Sequence, residues 1–181
     1  MQAFEETGAL LDGHFQLSSG RHSDRYLEKF NLLQWPEQTI MVCKKMAEAM
    51  RQIAPQTIAG PTTGGVLLAF EVGHQLGVRG IFAERDDAGG RSFQRDFHLA
   101  SGERVLVVDD VLTTGGSIRD TLDAVRAAGG EPVGVAVMAD RTGGKVDFSG
   151  LPFFAATEVE MQTFAAAECP LCARGVPLKV T

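Results

Sequence analysis

The segment "RVLVVDDVLTTGGSIRD", Arg104–Asp120, sets four aliphatic residues directly against two adjacent carboxylates, two threonines, two glycines and a serine. The aliphatics call for a dry interior, whereas the carboxylates call for water, a metal or a polyol. A conflict of that kind between local rules marks a functional site. The unbroken run Val105–Val108 predicts a central parallel strand covered on both faces. Ser117 to Ala128, with Ile118, Leu122 and Val125 at helical spacing, predicts a helix closed by Gly129 and Gly130.

Outward from this segment, Pro36 suits a first helical position, and apolar residues recur at helical spacing from Ile40 to Ile53. Thr57–Gly60 reads as a strand, Thr62–Gly65 as a turn, and the stretch from Val66 to Gly77 as a largely buried helix. Arg79–Glu84 and Pro132–Ala139 read as further strands, and Phe153–Val159 as a candidate one. The polar stretch Asp86–Asp96, with Gly89 and Gly90, has no periodicity and reads as a mobile loop. Strand and helix in alternation predict an α/β fold, an open and mainly parallel twisted sheet flanked by helices. Ligands of such sheets sit beyond the carboxyl ends of the strands, where Thr62, Arg85, Asp109 and Arg141 all fall. One domain is expected over residues 1–181, with a core from about 36–159. The ends, about 1–35 and 160–181, fit the alternation poorly and are expected to form a small hood over the sheet edge.

Hydrophobic residues make up 44% and charged residues 22% of the 181, as in ordinary globular proteins. The formal net charge of −6 argues against a general nucleic-acid binder, although a few arginines can still form a local anion pocket. "MQAFEETGALLDG" has no basic, apolar leader pattern, and no stretch approaches the roughly 18 apolar residues of a membrane span, so a cytoplasmic chain is expected. Cys43, Cys169 and Cys172 are too few and too uneven for a disulfide framework.

Between strand and helix, Thr113 to Ser117 offers glycines for close backbone approach, three hydroxyls and the free N–H groups of a helix start. That is an anion site suited to a phosphate monoester. Asp109 and Asp110 would repel the phosphate, and in a regular strand they face opposite sides of the sheet. Ligand hydroxyls or a hard cation such as Mg²⁺ would give them partners. The implied ligand carries a phosphate, a neighbouring diol and a metal, as a ribose 5-phosphate does.

"VLVVDDVLTTGGS" closely resembles the phosphoribosyl diphosphate (PRPP) signature of the type I phosphoribosyltransferases. "GHFQLSSGRHSDRYLEKF" (Gly13–Phe30), "IAGPTTGG" (Ile58–Gly65) and "MADRTGG" (Met138–Gly144) are similar to segments of the orotate phosphoribosyltransferases, and "CPLCARGVPL" (Cys169–Leu178) to the tail of a short bacterial branch of them. The resemblance implies the type I phosphoribosyltransferase fold and the reaction of orotate with PRPP to give orotidine 5′-phosphate and diphosphate, in pyrimidine nucleotide synthesis. It implies that Thr62, Thr63, Gly64, Arg85, Arg91, Asp109, Asp110, Thr113, Thr114, Gly115, Gly116 and Ser117 bind PRPP. Thr113, Arg141, Ser19 and Gly20, with Ser18, would face the orotate. Arg85, Asp109 and Asp110 would be catalytic, and Mg²⁺ would travel mainly on PRPP, with Asp109 and Asp110 as candidate ligands. It further implies a homodimer whose loop, here about Arg85–Arg95, reaches into the neighbouring site. The familiar loop is lysine-rich; this one balances Arg85, Arg91 and Arg95 against Asp86, Asp87 and Asp96, and Ser18 and Gly64 stand where many relatives have lysine.

Two rivals remain open: a phosphoribosyltransferase for a purine base, and a PRPP-sensing regulator binding nucleic acid. Arg21 serves either a diphosphate or a surface carboxylate. Cys169 and Cys172 have the spacing of half a zinc site or of a redox pair, but no second CxxC exists, so structural thiols are expected. His14 and His22 are expected at the polar surface and His74 in the core or at its rim. Cys43, Trp35 and Tyr26 are expected in packing, Tyr26 near the base.

Overall fold

A computed structural model describes residues 2–148 and 150–181. The chain opens with α1 (Gln2–Glu6), β1 (Leu10–Gln16), β2 (His22–Leu27) and α2 (Lys29–Leu33). The alternating part follows as α3 (Pro36–Met50), β3 (Thr57–Pro61), α4 (Gly64–Leu76), β4 (Arg79–Arg85), β5 (Arg91–Phe93), β6 (Arg104–Leu112), α5 (Gly116–Ala127), β7 (Glu131–Asp140) and β8 (Phe153–Ala155). The tail holds β9 (Thr163–Phe164), α6 (Pro170–Ala173) and β10 (Lys179–Val180). Among the described residues no helix is long and apolar enough to cross a membrane.

The larger sheet has the order β5-β4-β3-β6-β7-β8, parallel except for the antiparallel edge strand β5. The aliphatic run of β6 explains its central place. Leu106 and Val108 pack with Met46 of α3 and Leu68 of α4 on one face, while Val105 and Val107 pack with Ile118 and Leu122 of α5 on the other. Alternate residues of one strand thus enter two different apolar layers, and neither face is left for water.

From β3 the chain crosses through α4 to β4 on one side; from β6 it crosses through α5 to β7 on the other. The order reverses between β3 and β6, a switch point of the kind that opens a crevice at the carboxyl end of a parallel sheet. The ladder between them ends at Ala59 and Val107, whereas β6 stays paired with β7 as far as Leu112 and Asp140. Past Val107 one edge of β6 therefore borders the crevice.

The chain's two ends meet in a second sheet, β10-β1-β2-β9, in which β1 pairs parallel with β10 and antiparallel with β2. Phe4, Leu27 and Leu32 from this end of the molecule join the apolar layer of α3 and α4.

Several expectations change. Residues 86–96, expected as a loop without periodicity, include the strand β5, which pairs with β4, and the Asp86 carboxylate accepts from the N–H groups of Ala88 and Gly90 in the turn. A three-residue strand is too short to show periodicity. Trp35 is 56% exposed at the start of α3, and His74 is exposed beside Glu71, so neither belongs to the core. His14 and His22 are the reverse case, 2% and 5% exposed. Arg21 donates to the Thr163 hydroxyl and carbonyl of β9.

Candidate active site

A cleft of about 600 Å³ lies at the switch point. Thr62 and Thr63 after β3, Asp109 and Asp110 of β6, Thr113, Thr114 and Ser117 before and at the start of α5, and Arg141 after β7 line one side. Ser18, Ser19 and Tyr26 of the terminal sheet, with Lys29, line the other. Two helices, α4 and α5, begin at this cleft, so two sets of unsatisfied N–H groups and two positive dipole ends border it. A ligand with two separate anionic groups suits such a pair.

Gly115 precedes α5 with φ +80, the left-handed region that favours glycine. With Gly116, Thr113, Thr114 and Ser117 it encloses a recess of about 40 Å³ that shares Asp109 with the main cleft. Gly64 matters for another reason: a Cβ there would lie 1.9 Å from Oδ2 of Asp110, so a larger residue would displace that carboxylate. The glycine lets the start of α4 close onto the carboxylate.

Asp109 and Asp110 follow the alternation of β6, one toward each apolar layer, yet both border the cleft because it spans the strand's free edge. They are 7% and 4% exposed. Each turns back onto the next amide, Asp109 Oδ1 accepting from Asp110 N at 2.8 Å and Asp110 Oδ1 from Val111 N at 2.6 Å. Asp110 also pairs with Lys29 Nζ at 2.7 Å. Sequence reasoning did not single out Lys29, although it lies in the quoted Gly13–Phe30 segment; only the fold brings it to the acidic pair.

Burial, and then the neighbouring Asp110 charge, push the Asp109 carboxyl up to about 7; the Asp110 N–H, Lys29 and Arg91 oppose the shift. A carboxyl raised in the folded state binds protons more tightly there than in the unfolded chain. Its contribution to stability is full below the unfolded value, about pH 4, and is lost as pH rises through about 7. The unliganded Asp109→Asn protein is therefore expected to melt above its parent at pH 8, with the two converging near pH 4. A difference of the same size at both pH values would remove the Asp109 charge as its cause.

Arg141, directly after β7, brings a cation to the cleft. Its Nε is buried without a hydrogen-bond partner among the described residues, and burial pulls the guanidinium below its ordinary value, with Tyr26 opposing. A cation stripped of water and left incompletely paired is a site for an anionic group. Tyr26 lines the cleft with its ring tilted against Phe15.

Six of the expected residues stay outside the main cleft's lining: Gly115 and Gly116 line the adjoining recess, Gly64 opens α4, and Gly20, Arg91 and Arg85 lie elsewhere. Gly20 shapes the turn between β1 and β2, with φ +75. Arg91 is buried behind the cleft, where its guanidinium donates to the Thr62 hydroxyl and to the carbonyls of Thr62 and Ala83. Arg85 faces solvent at the end of β4, directly across the ladder from Arg91. Arg95 is held by Glu84 at 2.9 Å, which leaves it paired outside the cleft.

A sequence model of the phosphoribosyl transferase domain family matches residues 30–171. An orotate phosphoribosyltransferase of Caldanaerobacter subterraneus subsp. tengcongensis is 43% identical over 98% of this chain and 93% of that protein, and one of Heliobacterium modesticaldum is 45% identical over the same shares. Among solved structures, the orotate phosphoribosyltransferase of Mycobacterium tuberculosis superposes with a TM-score of 0.71 at 26% identity, covering 87% of this chain and 95% of that one. An adenine phosphoribosyltransferase of Thermoanaerobacter pseudethanolicus shares the fold alone, with a TM-score of 0.63 at 19% identity over 75% of this chain and 88% of that one. With a domain match over most of its length and relatives this similar from end to end, the chain belongs to the orotate phosphoribosyltransferase family.

Proposed function

We propose that the chain transfers the 5-phosphoribosyl group of PRPP to orotate, releasing diphosphate and forming orotidine 5′-phosphate for pyrimidine nucleotide synthesis. The observation that carries this reading is Arg141, a half-buried cation whose Nε is unpartnered among the described residues, in the same cleft as a phosphate-type turn. Orotate has a carboxylate that adenine and hypoxanthine lack, and arginine is the side chain that grips a carboxylate with two bonds.

In this reading the 5-phosphate sits on the hydroxyls of Thr113, Thr114 and Ser117 and on the N–H groups opening α5. The ribose hydroxyls meet Asp109 and Asp110, and the diphosphate lies toward Thr62, Thr63, Gly64 and the start of α4. The base lies between Ser19, Thr113 and Arg141, with Gly20 shaping the turn that carries Ser19. The C1′–O bond breaks with its electron pair going to the diphosphate, and the base nitrogen forms the new bond to C1′. Positive charge grows on the ribose as the bond lengthens, as in glycosyl transfer. The chain's own work is positioning, exclusion of water and charge placement. Two buried, adjacent carboxylates, of which one has a lysine partner and the other is disfavoured as an anion by burial and its neighbour's charge, are a donor set that fits a hard cation arriving on a polyol phosphate. When Mg²⁺ is bound there with PRPP, it supplies positive charge to the leaving diphosphate.

Arg85 is the further cation of this reading, on an arm that serves a neighbouring subunit in a homodimer. Its exposure at the strand end supports that role, as does the exposed apolar pair Leu67 and Phe70 on one face of α4, which suits a self-complementary contact. Arg85→Ala is expected to lower kcat on the order of 100-fold while PRPP affinity changes little. Mixed with an Asp109→Asn chain, it should regain activity well above either parent, because one hybrid site is then intact. Equal losses of turnover and affinity, or no regain on mixing, would refute the shared arm. Unpaired cysteines suit a reducing compartment, so we place the reaction in the cytoplasm.

The deciding experiment follows orotate consumption by ultraviolet absorbance with PRPP and Mg²⁺, with uracil, adenine and hypoxanthine in parallel. PRPP-dependent loss of orotate alone is the expected result. Turnover of a purine instead would sink the role of Arg141, and no turnover with any base would favour a PRPP-sensing regulator.

A further inference from the structure

Four side chains from the two ends of the chain converge where β1, β2 and α6 meet: His14, His22, Cys169 and Cys172. The sequence gives each a bland reading, since the CxxC lacks a second pair and both histidines look superficial. In the fold their ligand atoms all lie within 4.8 Å of one another. His14 Nε2 is 3.0 Å from His22 Nδ1, 3.4 Å from Cys169 Sγ and 3.7 Å from Cys172 Sγ, and Cys172 Sγ is 3.3 Å from His22 Nδ1. Zinc bonds of about 2.3 Å to sulfur and 2.05 Å to nitrogen give tetrahedral edges of about 3.3–3.8 Å. The cluster is already close to those edges.

Two features show a site built for this purpose. The register of β1 against β2 shifts between Asp12 and Phe15, and at this irregularity His14 and Phe15, consecutive residues, are both buried. A regular strand would send one of them to solvent; the bulge re-aims His14 inward. Its other ring nitrogen, Nδ1, lies 2.8 Å from the Val176 carbonyl. A carbonyl can only accept, so Nδ1 carries the proton and Nε2 presents a lone pair to the cluster, the arrangement usual for a metal-bound histidine.

We propose that His14, His22, Cys169 and Cys172 form a structural zinc site that fastens the C-terminal segment to the N-terminal hairpin. Two thiolates and two imidazoles in a tetrahedral set select zinc over hard cations, and four protein ligands leave no open position for chemistry. Both thiols release their protons to solvent on binding. The site closes a loop of about 150 residues, from His22 to Cys172, and its two histidines bracket the turn bearing Ser18 and Ser19, which lines the cleft. The metal therefore holds one wall of the cleft without touching its contents. A redox pair is the other use of such cysteines, but it gives no reason for two buried histidines to face them.

Tag-free full-length protein, grown with zinc and without chelator, should carry about one zinc per chain by elemental mass spectrometry. Cys172→Ser and Cys169→Ser should lose it and melt lower by on the order of 10 °C. Protein grown with cobalt should show tetrahedral d–d bands and sulfur-to-cobalt charge transfer, and that spectrum decides alone if the serine variants do not fold. Native protein without zinc that takes up none from micromolar solution would overturn the site. So would a Cys172→Ser chain with full zinc content, or a Cys169–Cys172 disulfide in protein purified without reductant. None of these readouts depends on which base the enzyme uses.

Discussion

Arg141→Ala is expected to raise the KM for orotate on the order of 100-fold or more while the dissociation constant of PRPP stays within a few-fold. The guanidinium lines the cleft, is partly stripped of water and has an Nε unpartnered among the described residues. Losing a two-pronged contact to a carboxylate costs about 1.5–3 kcal/mol per bond, and about 1.4 kcal/mol is tenfold in affinity. Arg141→Lys should recover only part, because an ammonium presents a point charge where a fork is needed. Calorimetry with PRPP and Mg²⁺, alongside steady-state kinetics, separates the two ligands. A matched loss of PRPP binding would mean that Arg141 supports the cleft as a whole and does not read the base.

The second large effect belongs to the acidic pair. Asp109→Asn/Asp110→Asn keeps shape while removing both charges, and kcat/KM for PRPP is expected to fall on the order of 1000-fold or more, since each charged hydrogen bond to a ribose hydroxyl contributes about 1.5–3 kcal/mol. Affinity for inorganic phosphate should survive, because the turn from Thr113 to Ser117 is untouched. A parallel loss of phosphate affinity would show that the pair holds the turn and not the sugar. The single changes should be unequal. Asp110→Asn also strands Lys29, its partner at 2.7 Å, so Lys29→Met and Asp110→Asn together should cost less than the sum of their separate effects.

The parts of this site that were legible in the sequence are those carried by continuous segments. Val105–Val108 announces a two-faced central strand because four apolar neighbours in a row have no other stable place. The Thr-Gly turn announces an anion because hydroxyls, glycines and a helix start coincide in five residues. What stayed hidden depends on pairing across long separations. Lys29 meets Asp110 only after the terminal sheet has folded back over β6. Arg91 looks like a mobile-loop cation, yet it is buried against Thr62 because the short strand β5 zips onto β4. His14 and His22 look like surface residues because polarity alone says nothing of the two sulfurs that wait at the other end of the chain.

That two-ended sheet has a consequence for the chain's birth on the ribosome. The first strands, β1 and β2, emerge early, while their partners β9 and β10 begin only at Thr163 and Lys179. At roughly 5–20 residues per second, the hairpin waits about 7–30 s with its edges bare. An isolated two-stranded hairpin is marginal in water, and a bare strand edge invites pairing with another nascent chain. The wall of the cleft is thus the last part of the molecule to become whole, and translation speed between the hairpin and the C-terminal strands becomes a determinant of how much enzyme reaches its native form.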